Sequence, residues 1–183
     1  MNFNPHSNLK GKHAFLSASN YHWTNYDEDK LNRFLESSMA KERGTKLHAF
    51  SEEAIKLGRK QIRNKDSINM YINDAIGFDM QTEQVLYYSE YIFGTADAIS
   101  FKKNFLRIHD LKTGVTPANM EQLRIYAALF CLEYGYSPFD IKIELRIYQS
   151  GEVIVENPEA SYIQDLMDLI IRFDGIIREA RAE

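Results

Sequence analysis

The chain has 183 residues with 44% hydrophobic and 26% charged side chains, the profile of a folded globular protein rather than a disordered one. A single cysteine, Cys131, excludes an intramolecular disulfide framework and any four-thiolate zinc or iron–sulfur site. A net charge of −4 argues against bulk electrostatic coating of nucleic acid. With no long apolar run and the polar start MNFNPHSNLKGK, the reading is a single cytoplasmic domain over 1–183, without membrane contact.

Charge is distributed unevenly. Residues 41–65 hold eight basic residues, among them Lys41, Arg43, Lys46, Arg59 and Lys60, against three acids. That local +5 leaves −9 for the rest, and it reads either as a solvated helix face or as a track for phosphates.

In chain order, residues 29–63 carry a helical pattern. Leu31, Phe34, Leu35 and Met39 are expected to form one buried face, and Leu47, Phe50, Ala54 and Leu57 a second, with Gly44 between them. From Val85 the period becomes that of strands. The runs VLYYSEYIF and TADAISF are expected to join at Gly94, and a strand over 105–111 follows the turn-like Lys102-Lys103-Asn104. Residues 117–134 read as a helix stopped by Gly135. Residues 139–148 alternate as a strand with one wet face, and 160–181 as a closing amphipathic helix through Ile163, Leu166, Met167, Ile170, Ile171 and Phe173. The fold class is α/β (α+β): a mixed sheet with helices on its faces.

The chemistry concentrates in Gly94-Thr-Ala-Asp97 and Asp110-Leu-Lys112-Thr-Gly114. Residues two apart on a strand share a face, so Asp110 and Lys112 project together. If the strands of Asp97 and Asp110 pair, two carboxylates meet beside one ammonium, a site for a hard divalent cation and an activated water. Acid-x-Lys also occurs at Glu28-x-Lys30 and Asp140-x-Lys142. Only Asp110-x-Lys112 ends an apolar strand with Gly-x-x-Asp before it. On helical spacing, Glu52 shares a face with His48, and Gln122 with Tyr126.

The ordered set Gly44…His48, Gly94-x-x-Asp97, Asp110-x-Lys112-Thr-Gly and Gln122-x-x-x-Tyr126 resembles the RecB-like branch of the PD-(D/E)XK nuclease superfamily, nearest its phage and prophage exonucleases. His13-Ala-Phe-Leu-Ser17-Ala-Ser19 resembles that branch's Leu-Ser-x-Ser opening. The resemblance runs over about 13–150 and implies an α-β-β-β-α-β core. It implies His48, Asp97 and Asp110 as metal ligands, completed by the backbone carbonyl of Leu111, with Lys112 orienting the attacking water. Gln122 and Tyr126 would steady the site or touch the phosphate backbone, and Glu83 matches an accessory acid. The cofactor implied is one or two Mg²⁺ or Mn²⁺ ions, without an iron–sulfur cluster. The activity implied is metal-dependent hydrolysis of DNA, as an end-resecting exonuclease in phage-type recombination within a bacterial host cell. A single-strand annealing protein or recombinase would be its partner, and an oligomer stays open. Two alternatives are an inactive nuclease-fold binding module and an RNA-directed nuclease.

Overall fold

A computed structural model of the chain describes residues 7–9, 12 and 14–182. His13, the first residue of the opening motif, lies outside the described residues, as does most of the polar start. The chain divides into two compact units, Met1–Glu42 and Arg43–Glu183. Among the described residues no helix is long and apolar enough to cross a membrane.

In the first unit Ser17 caps a short 3₁₀ helix, Ala18–Asn25, by accepting from Asn20 N–H at 3.3 Å. None of its described residues is buried. Leu31 and Phe34 are half-covered, while Leu35 is 43% and Met39 62% exposed. The expected buried face therefore does not form in this unit. Nor does Gly44 interrupt the helix: α1 spans Glu28–Lys56 unbroken. In the second unit the buried side of α1 is Gly44, Ser51, Ala54 and Ile55, whereas Phe50 and Leu57 are exposed. The helix stops at Lys56 rather than Arg63 because Gly58 takes φ 64. Its N–H bonds Ile55 O, and Arg59 N–H bonds Ala54 O.

A helix absent from the sequence reading, α2 (Ser67–Gly77), follows with Asp66 as its cap. Then come β1 (Gln81–Ser89), β2 (Ile92–Lys102), β3 (Phe105–Leu111), α3 (Glu121–Tyr134), β4 (Lys142–Gln149), β5 (Glu152–Glu156) and α4 (Ala160–Ala182). The second unit is α+β, with one five-stranded mixed sheet in the order β1-β2-β3-β4-β5. β3 and β4 are parallel, joined through α3, and the other pairs are antiparallel. β5 extends the expected four strands through the tight Ser150-Gly151 turn, where both residues have positive φ.

The first hairpin turns at Glu90-Tyr91, and Gly94 lies inside β2 rather than joining two strands. Ser89 Oγ accepts from the Tyr91 and Ile92 N–H groups at 3.2 Å, which closes that turn. The next turn is where the sequence places it: Lys103 and Asn104 take φ 51 and 57 and close β2 onto β3.

Two cores flank the sheet. On one side Leu86, Leu106, Ile108, Leu145 and Ile147 pack on Leu123, Ala127 and Leu129 of α3 and Ile163 of α4, each large side chain worth about 1.5–3 kcal/mol of burial. Ile171 and Phe173, expected on the buried face of α4, are 46% and 48% exposed. On the other side Ala54, Ile55, Tyr71, Ile72 and Ala75 cover Ala98, Leu111 and Tyr148. The expected wet face of β4 is thus roofed by α2. Tyr148 is fully buried and donates to Asp74 Oδ2 at 2.7 Å, and Arg146 Nη1 reaches the same oxygen at 3.1 Å.

Candidate metal centre

The register of β2 on β3 pairs Ala98 with His109 and Ile99 with Ile108. One further step sets Asp97 beside Asp110, and Leu111 N–H donates to Asp97 Oδ2 at 3.0 Å. β2 creases at this point. Ala96 belongs to the α3-side core and Ala98 to the α2-side core, although alternate strand residues ordinarily share a face. Across the ladder, between Thr82 and Gln84, Glu83 takes φ 52 within β1, a left-handed backbone that non-glycine residues rarely adopt.

This distortion turns side chains toward one point. His48, Glu83 and Asp97 each offer a ligand atom within 4.8 Å of the others', and His48 Nδ1 stands 3.5 Å from Asp97 Oδ2. Asp110 is nearly buried, at 2% exposure, and meets Lys112 Nζ at 3.1 Å through Oδ1 and 3.0 Å through Oδ2. Lys112 also donates to Gln122 Oε1 at 2.9 Å, and Gln122 Nε2 donates to the Tyr126 hydroxyl at 2.9 Å. A continuous chain, Asp110–Lys112–Gln122–Tyr126, therefore runs from the sheet to α3.

The two glycines of the motif have steric reasons. A Cβ at Gly94 would stand 2.7 Å from Tyr126 Cε1, and one at Gly44 would stand 2.8 Å from Thr113 Oγ1. Gly94 admits the tyrosine ring, and Gly44 lets α1 approach the loop after Lys112. Gln149 secures that loop: its Nε2 donates to Gly114 O at 2.6 Å and Thr116 O at 2.8 Å, and its Oε1 accepts from Ala118 N–H at 3.1 Å. Held in this way, residues 117–120 stay out of α3, which begins at Glu121 rather than Pro117.

Burial, then the charge of Asp110, pushes the Asp97 carboxyl from 3.8 up to about 6; the Leu111 N–H and His48 oppose the rise, and Glu83 adds to it. Tyr71 of α2 is held far above the ordinary phenol range by burial and by the charges of Asp97, Asp110 and Glu83. Burial likewise raises Tyr126. Clustered carboxylates with an imidazole at their edge form a donor set suited to Mg²⁺ or Mn²⁺. The residues present fit such an ion.

Other expected residues lie differently. Glu52 is bonded to Lys56 and stands outside the His48–Glu83–Asp97 group. Leu111 directs its side chain into the α2-side core. Lys41 belongs to the first unit, and Arg43 and Lys46 to the second; all three are exposed on α1, while Arg59 and Lys60 are exposed beyond its end. Tyr71 and Gln149 are missing from the sequence reading. The spacing Ile68, Tyr71, Ile72, Ala75 behind the cap Asp66 was the available signal for the former. Gln149 had none beyond being polar at the end of an apolar strand. Compared with protein-family models, with curated proteins and with solved structures, the chain matches none.

Proposed function

We propose that the chain is a divalent-metal-dependent nuclease of PD-(D/E)XK type that hydrolyses DNA, working from ends as an exonuclease. The observation that carries the reading is the convergence of Asp97 with His48 and Glu83 on one side and of Asp110 with Lys112 on the other.

His48, Glu83, Asp97 and Asp110 would hold Mg²⁺ or Mn²⁺. The bound ion supplies Lewis acidity toward a phosphate oxygen and acidifies water. Lys112 is fixed by Asp110 and Gln122, which leaves its ammonium a donor to orient water or steady charge on the phosphate. Gln122 is itself fixed by Tyr126, so the ammonium is aimed before substrate arrives. Burial of Asp110 keeps its carboxylate from turning away into solvent.

The test supplies a plasmid as closed circle and as end-labelled linear duplex, with Mg²⁺, Mn²⁺ or EDTA. Metal-dependent loss of label from the linear form is expected, reduced about 10²- to 10⁴-fold by Lys112→Ala. Cutting of the circle would keep the chemistry but make the enzyme an endonuclease. Wild type and variant equally inert on DNA and RNA would overturn the reading.

A further inference from the structure

A second feature lies at the opposite end of β3 from Asp110. The Lys103-Asn104 turn, the start of β4 and the chain before it enclose an open cavity of about 630 Å³. Five residues of strand, about 17 Å, separate Phe105 at its edge from Asp110. Lys102, Lys103, Arg107 and Lys142 line it, with Asp140 as the one acid of the lining. The chain as a whole is acidic, so this is a local reversal of sign.

The cations are not equivalent. Lys102 is bonded to Asp79 at 2.6 Å. Arg107 bonds Glu144 at 3.2 Å, with the rings of Phe105 and Phe78 at 3.8 and 4.5 Å. Among the described residues neither Lys103 nor Lys142 has a side-chain hydrogen bond or an ion pair, and both are exposed. Beside them Phe139 lies 65% exposed. The backbone beneath is firm: Lys142 N–H donates to Asn104 O at 2.8 Å, tying the two lysine-bearing segments together. Two unpaired ammoniums next to a bare ring match a phosphate chain whose bases are free to stack.

We infer that this cavity is a second contact for single-stranded nucleic acid, with Lys103 and Lys142 on successive phosphates and Phe139 under a base. The inference rests on the nuclease reading and names the form of substrate that reading leaves open. A single strand reaching this contact lies along the molecule away from the metal centre, and its affinity depends on residues that take no part in hydrolysis.

The experiment follows binding of a fluorescein-labelled single strand by anisotropy in EDTA over a series of salt concentrations. The charge-removing variant is Lys103→Asn with Lys142→Gln, asparagine being well suited to the positive φ of position 103. Losing two phosphate contacts should lower the slope of log K against log salt by about 1.4 in magnitude. Phe139→Ala should weaken binding at least about fivefold without changing that slope. Both variants should retain the urea midpoint of wild type and its metal-dependent hydrolysis of a small phosphodiester. An unchanged slope in the lysine variant, an unaffected Phe139→Ala, or equal losses on blunt duplex overturns the contact. Plasmid cleavage is scored beside it. Cutting by wild type with binding untouched by the variants removes this contact alone, whereas absence of both cutting and binding removes the nuclease reading with it.

Discussion

Asp97 is the residue on which stability and chemistry oppose each other. Its carboxyl is raised from 3.8 to about 6, so between those values the folded chain keeps a proton that the unfolded chain has lost. The folded state then binds more protons, and stability falls as pH rises, the loss being complete above about pH 6. At about 1.4 kcal/mol per decade, the metal-free protein at neutral pH carries a penalty of order 3 kcal/mol. Asp97→Asn removes that penalty together with a proposed ligand. In EDTA it should raise stability by about 1–3 kcal/mol at about pH 7.5 and by little near pH 3.5, as read from urea midpoints. A gain of equal size at both pH values would show that Asp97 does not titrate in this range.

Between elements, close approach is the governing quantity. α3 reaches the sheet at Gly94 because Tyr126 occupies the space a side chain would take. Gly94→Ala should cost about 1–3 kcal/mol and release Gln122 from its tyrosine, lowering turnover more than substrate affinity. In a double-mutant cycle with Tyr126→Ala most of the stability cost should vanish, and an additive cycle would show that the ring is not the obstacle. On the other face α2 is held by Asp74, which takes the hydroxyl of Tyr148 and Nη1 of Arg146. Because that hydroxyl donates to Asp74, it accepts from His109 Nδ1 at 3.2 Å, and burial pushes the imidazole down to about 3, keeping it neutral. Asp74→Ala strands a buried hydroxyl and should lower stability by about 1–3 kcal/mol, measured as a shift in the denaturation midpoint.

For the whole molecule, the proposed ion would link the site to folding. His48, Glu83, Asp97 and Asp110 stand on α1, β1, β2 and β3, so a ligand gripping all four ties these elements together. An ion at a hundred times its dissociation constant should add about 2.7 kcal/mol, raising Tm of the wild type by several degrees. EDTA should reverse the rise, and Asp97→Asn should abolish it. Equal shifts in wild type and variant would place the ion elsewhere. The basic run over 41–65 crosses the boundary between the two units: Lys41 lies in the first, and Arg43 onward in the second.

The strand–turn–strand over 95–111, the stop of α3 at Gly135 and the pairing of Asp110 with Lys112 were legible in the sequence because each depends on neighbours a few residues apart. Alternation places Asp110 and Lys112 on one face, and a left-handed glycine ends a helix wherever it stands. In α3 the buried Leu123, Ala127, Phe130 and Cys131 recur at the spacing of one helix face. Periodicity failed for Leu35 and Met39, whose apolar spacing leads to exposed side chains. It failed for Tyr148, whose apparently wet face is roofed by α2 across more than seventy residues of chain. The crease at Asp97 and the left-handed Glu83 that bring both acids to His48 break the rule of two on which strand reading rests. Only the tertiary structure decided them, because the cores that receive Ala96 and Ala98 on opposite sides are built by elements distant in sequence.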